Sequence, residues 1–217
     1  NKYVYIYLGK AEAILTPNDQ IPGEIYQYHD RMKTYIVEVK KTSKGPQIMV
    51  SRTHPGLLKR LFELEVPEIH DGLVEIKSVA REPGMRSKIS VYTKDENIDP
   101  VGACVGHKGM RVQTIVNELR GEKIDIVKYS SEPDQYVANA LSPAKVVSTE
   151  VLEEEKICRV IVPDYQLSLA IGKEGQNARL AAKLTGWKID IKSESQAAEE
   201  AEQGAQEVGV AYEADED

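Results

Sequence analysis

The chain has 217 residues, 41% of them hydrophobic and 29% charged, with a formal net charge of −7. This is an ordinary globular composition with length for two or three small domains. No apolar run approaches the roughly 20 residues that span a bilayer, and Asn1-Lys2-Tyr3 lacks the basic, apolar and small-residue regions of a signal peptide. No membrane partner is therefore expected, and the location expected is cytoplasmic. Without an initial Met the chain reads as a fragment of a longer protein. Cys104 and Cys158 sit in apolar stretches and read as two buried thiols. His29, His54, His70 and His107 show no metal-ligand spacing, so neither a metal nor another cofactor is expected.

The net charge is unevenly placed. Residues 194–217 hold nine of the 35 acids and none of the 28 Lys and Arg, which leaves 28 bases against 26 acids in the body. An acid-rich stretch with little apolar content is expected to be solvated and disordered. A near-neutral body argues against a purely electrostatic binder, yet leaves nucleic-acid binding open, because local placement of charge decides it.

Residues 1–51 read as β. Tyr3, Tyr5 and Tyr7 alternate with Val4 and Ile6, and further strands are expected at Glu12–Leu15, near Thr34–Lys40 and at Gln47–Ser51. Short strands with polar turns suggest a small barrel. About four strands fit, so a five-stranded OB barrel would lack its first strand. On such a barrel the tyrosine stripe could stack bases, but at least part of it is expected in the core.

From Pro55 the chain turns helical, with Thr53 as the candidate cap and Leu57, Leu58, Leu61 and Phe62 at helical spacing. Strands are expected at Leu73–Arg81 and Arg86–Tyr92, then a short helix from Pro100 to Gly106, a second from about Gly109 to Leu119, and a strand at Lys-Ile-Asp-Ile. A helix near Pro133–Leu141 follows, then strands at Lys145–Val151 and Lys156–Val162, a helix near Asp164–Ile171, another to Leu184, and a strand at Trp187–Ile191. The same order of elements occurs twice.

An internal repeat underlies that order. VGHKGMRVQTIVNELRGEKIDI at 105–126 matches IGKEGQNARLAAKLTGWKIDI at 171–191, with one extra residue in the first copy. A single G-x-x-G is weak evidence, since glycine often ends helices. Two copies in one six-element order mark a supersecondary unit used twice. Such a loop, between a helix end and a helix start, admits a ligand backbone at its glycines and offers free N–H groups and a positive dipole end to phosphate. KH domains clamp about four nucleotides of single-stranded RNA this way. The candidate RNA-binding residues are Gly106, His107, Lys108, Gly109 and Arg111 in the first copy. In the second they are Gly172, Lys173, Glu174, Gly175, Gln176, Asn177 and Arg179. The Glu174 carboxylate repels phosphate, so the second loop should bind more weakly, or through Gln176 and Asn177. Only a short loop, 127–133, separates the two units, so they should act as one. No P-loop, dinucleotide fingerprint or nucleophile elbow occurs, and no catalytic residues are assigned.

Three stretches resemble the NusA family of bacterial transcription factors: SRTHPGLLKRLFELEVPEIHDGLVEIKSVAREPGMRSKISV at 51–91, IDPVGACVGHKGMRVQTIVNELRGEKIDI at 98–126, and NALSPAKV at 139–146. The resemblance implies an α+β chain with two tandem KH domains of the bacterial type (type II) behind a partial all-β OB-fold barrel. The domains implied are a barrel at 1–51, a first KH domain at 52–130, a second at 131–195 and a disordered acidic tail at 196–217. It further implies a monomeric, non-enzymatic factor of elongation, pausing, termination and antitermination. Its partners would be single-stranded nascent RNA, RNA polymerase, bound mainly through an N-terminal domain missing here, and other Nus factors. The alternative is the RNA-binding module of a ribonuclease or of a ribosome-associated KH protein. In KH-bearing exoribonucleases the KH domain precedes the barrel, the reverse of the order here.

Overall fold

A computed structural model describes residues 2–204 and 210–213. They fall into two compact units, one within 2–72, 82–86 and 102–124, the other within 73–81, 87–101, 125–204 and 210–213.

In the first unit, β1 (Val4–Tyr7), β2 (Glu12–Leu15), β3 (Tyr35–Thr42) and β4 (Gly45–Ser51) form one sheet in the order β1-β2-β4-β3. β1 and β2 are antiparallel, β2 and β4 parallel, and β3 and β4 antiparallel with an irregularity between Ile36 and Glu38. This arrangement is consistent with a partial OB-like barrel. Ala13, Leu15 and Val50 are fully buried, with Val4, Ile6, Tyr26 and Ile48 packed on them. Tyr3, Tyr5 and Tyr7 instead face solvent at 60%, 61% and 78% exposure, which corrects the expectation of a partly buried stripe. Alternation fixes that the two faces of β1 differ, and the smaller Val4 and Ile6 fill the small core.

Helix α1 (Pro55–Glu65) begins with proline at its first turn, where a missing N–H costs nothing. Its cap is His54, whose Nδ1 accepts from Gly56 N at 2.9 Å, in place of the expected Thr53. Leu57, Leu58, Leu61 and Phe62 form its buried face. A short helix, α2 (Pro67–His70), follows at once.

In the second unit lie most of β5 (Glu75–Glu82), β6 (Arg86–Tyr92) and β7 (Lys123–Lys128), a sheet of order β5-β6-β7. Helices α3 (Pro100–Val105) and α4 (Met110–Glu118), which lie mostly in the first unit, precede β7 in the chain. After α5 (Pro133–Ala140) come β8 (Ser148–Leu152), β9 (Ile157–Val162), α6 (Leu167–Ile171), α7 (Gln176–Thr185) and β10 (Lys188–Ser193). β8 and β9 are antiparallel, and β10 runs parallel to β9. Cys158, Val160, Leu180, Leu184, Ile189 and Ile191 pack in one core, each of the large aliphatics contributing about 1.5–3 kcal/mol by leaving water. Ala80 of β5 and Val127 of β7 belong to that same core. Tyr136 reaches across with its hydroxyl 2.7 Å from Ser90 Oγ and 3.2 Å from Leu184 O. Within this unit the sheet β5-β6-β7 and the elements from α5 to β10 therefore share a single apolar interior.

The stretch expected to lack structure from 196 onward carries helix α8 (Glu194–Gln203) and strand β11 (Val210–Tyr212). Ser193 caps α8 through a capping box with Gln196, and alanines among its acids favour helix. This corrects the expectation for 196–203 and 210–212; residues 205–209 and 214–217 lie outside the described residues. Among the described residues no helix is long and apolar enough to cross a membrane.

Candidate nucleic-acid interface

Two loops with different side chains adopt one backbone. Gly106 has φ 79°, ψ 171° and Gly172 has φ 80°, ψ 170°. Lys108 (53°, 28°) matches Glu174 (55°, 26°), and Gly109 (74°, 15°) matches Gly175 (75°, 11°). The first glycine of each pair occupies a region essentially reserved for glycine. A Cβ on Gly106 would lie 2.9 Å from Arg111 N, and one on Gly172 would lie 2.7 Å from Asn177 N. Gly106 N donates to Gly102 O at 2.9 Å and Gly172 N to Ser168 O at 2.8 Å, closing the preceding helices.

The loops are tight. Gly109 N donates to Gly106 O and Met110 N to His107 O; Gly175 N donates to Gly172 O and Gln176 N to Lys173 O. Some of the N–H groups expected to be free are thus committed within the loop. What the loops can offer an anion is the dipole ends of α4 and α7 and the side chains between the glycines. His107 and Lys108 are exposed in the first loop, Lys173 and Glu174 in the second.

Arg111 and Asn177 hold equivalent positions, five residues after the first loop glycine, and both grip the chain before the loop. Arg111 Nη1 donates to Ala103 O at 2.7 Å and to Glu68 Oε2 at 2.8 Å. Asn177 Nδ2 donates to Ala170 O at 2.9 Å and Leu141 O at 3.0 Å from a buried position. Asn177 is therefore a brace for the second loop, which corrects its place among the surface candidates. Gln176 is half-buried, with Nε2 in no hydrogen bond among the described residues. Arg179 Nη1 donates to Glu174 O at 3.0 Å and so lines the loop. Trp187 packs against the core, with Lys156 Nζ 5.7 Å from its ring centre.

The structure adds residues that local sequence did not indicate. Tyr212 lies on Gly175, where a Cβ would be 2.8 Å from its Cε1, while nothing lies within 4 Å of the same point on Gly109. The Lys188 ammonium is 2.9 Å from the Glu213 carboxylate. Cys104 and Cys158 are free thiols, both buried. No group of three or more His, Cys, Asp or Glu among the described residues could hold a metal ion.

Comparison with known proteins matches this geometry to a family. A model for a NusA-like first KH domain matches residues 52–129, and one for a NusA-like second KH domain matches 133–199. Proteins named transcription termination/antitermination protein NusA are similar over most of the chain. The one from Halalkalibacterium halodurans is 72% identical over 199 residues, covering 92% of this chain and 52% of the relative. The Bacillus subtilis protein is also 72% identical over 199 residues, covering 92% and 54%. The Mycobacterium tuberculosis protein is 54% identical over 186 residues, covering 85% and 54%. The chain thus spans about half the length of these relatives. With both KH matches in tandem and this identity along the body, the chain belongs to the NusA family.

Proposed function

We propose that this segment binds single-stranded RNA through its two G-x-x-G loops, as part of a longer protein of transcription termination and antitermination. The observation that carries the reading is the shared loop backbone, reproduced within a few degrees on two sequences that agree only at the glycines between 106–109 and 172–175. A strained geometry repeated on unrelated side chains points to a ligand that needs the backbone shape. His107 and Lys108 contact phosphate at the first loop; Lys173, Gln176 and Arg179 do so at the second, and Glu174 weakens it. The glycines admit the RNA backbone, while Arg111 and Asn177 keep the loops in shape.

The relatives' names support a role in transcription termination and antitermination. Nascent RNA, RNA polymerase and other Nus factors are the partners we propose for the longer protein. The reading includes no catalytic step. The family match favours it over a ribonuclease module or a ribosome-associated protein. Fluorescence anisotropy with a labelled RNA of about 12 nucleotides, single-stranded and then annealed to its complement, tests the binding. The single strand should bind at least about tenfold more tightly, because a groove for about four splayed bases does not admit a duplex. Equal affinity for both would overturn the reading.

A further inference from the structure

The two loops share a backbone but differ in what covers them. At the first, the space over Gly109 is open. At the second, Gly175 is buried under the Tyr212 ring, whose Cε1, Oη and Cζ would lie 2.8, 3.2 and 3.4 Å from a Cβ there. Tyr212 comes from β11, which lies antiparallel on β10 with Ile189 opposite Tyr212, Asp190 opposite Ala211 and Ile191 opposite Val210. The opposite edge of β10 is taken by β9. β10 therefore offers one open edge, beside α7 and the second loop, and the chain's own C-terminal segment fills it.

The chemistry of that segment matters as much as its place. A glycine in a nucleic-acid loop leaves room for a close ligand, and here an aromatic ring uses that room. The next residue supplies a carboxylate to Lys188 at 2.9 Å, from a Glu213 side chain that is 70% exposed. Burial raises the Tyr212 phenol pKa, and the nearby Arg179 charge opposes the rise. The ring takes the close approach that the glycine would give an RNA backbone, and the carboxylate brings to Lys188, three residues after the end of α7, the anion that a phosphate would bring. We propose that residues 210–213 dock in cis on the edge of β10 as a stand-in for RNA, with the Tyr212 ring on Gly175 where the RNA backbone would pass and Glu213 in place of a phosphate, so that RNA must displace them to use the second loop. The competition rests on the RNA-binding reading above; the docking does not. Three paired residues and one partly exposed ion pair make a weak clasp, but a tether of a few residues after α8 keeps its effective concentration high. Salt should loosen it, since the ion pair is exposed.

The test uses the 217-residue chain, a truncation after Gly204 and the single variant Tyr212→Ala. Hydrogen exchange reads docking without any ligand. The amides of β10 should exchange at least about threefold faster in both altered proteins, because an edge strand loses its partner. Affinity for a labelled single-stranded RNA of about 12 nucleotides is then measured for the same three proteins, each carrying His107→Asp and Lys108→Asp to silence the first loop. At about 50 mM salt the truncation and Tyr212→Ala should tighten binding about threefold, and at about 500 mM the difference should vanish. Unchanged β10 exchange would overturn the docking. Faster exchange with no gain in affinity would overturn the competition. RNA binding by none of the proteins, with or without the first-loop changes, would sink the RNA-binding reading and the competition together, while the exchange data would still decide the docking.

Discussion

The guanidinium of Arg52 grips the Glu24 carboxylate through two parallel hydrogen bonds, Nε to Oε1 at 2.9 Å and Nη2 to Oε2 at 2.8 Å, with both side chains buried. The remaining donors go to Lys33 O at 2.8 Å and to Glu118, at Oε1 (3.2 Å) and O (3.1 Å). Burial alone would lower the Arg52 pKa, but the bonds and charge of Glu24, together with Glu118 and Tyr26, outweigh it and raise it. Arg52→Ala should cost about 3–5 kcal/mol, since it strips the buried Glu24 carboxylate of these two hydrogen bonds and leaves it the distant Arg120 Nε, at 3.9 Å. Arg52→Lys should also destabilise, because a point charge cannot make the fork. Adding Glu24→Gln to Arg52→Ala should restore part of the loss, as read from urea midpoints.

The four loop glycines should not respond alike. Gly172 combines φ +80° with a Cβ position 2.7 Å from Asn177 N, a backbone atom that cannot step aside. Gly172→Ala should cost about 3 kcal/mol or more. Gly109 also has positive φ but open space around it, so Gly109→Ala should cost only about 1 kcal/mol of left-handed strain. Thermal melts would show the order, and a reversed order would mean that the loop backbone is not as described.

Cys158 makes the chain sensitive to alkali. Burial, helped by the Asp134 charge, raises its thiol pKa from 9.0 to about 11. Between those values the unfolded chain has lost a proton that the folded chain keeps, so stability should fall across pH 9 to 11 and be complete below 9. Cys158→Ala should flatten that part of the urea midpoint profile. At pH 7 the native thiol should resist alkylation, while denatured protein reacts promptly.

Much of the site was legible because the repeat is local. The loops, the helices around them and the closing strands each follow from a few adjacent residues, and the duplicated pattern separates them from chance. Asn177 shows where that stops. Sequence shows a polar residue at the start of a helix, and only the packing shows its amide turned inward to Leu141 O and Ala170 O. In β1, alternation separates the tyrosines from Val4 and Ile6 but does not say which face is the core. Tyr212 lies 37 residues after Gly175, in an acidic stretch whose composition suggests solvation, and strand pairing at that distance leaves no local trace. His54 as a cap escaped because histidine is an unusual one and Thr53 stands beside it.

The most direct measurement of the central claim is RNA affinity after changing the first loop alone. His107→Asp with Lys108→Asp places two carboxylates where phosphate should lie. The fold should survive, because both side chains are exposed and aspartate tolerates the left-handed backbone at position 108, where φ is 53°. At about 50 mM salt, affinity for single-stranded RNA should fall at least about tenfold with an unchanged melting midpoint, and Lys173→Asp at the second loop should do less. Unchanged affinity in the folded double variant would contradict the account.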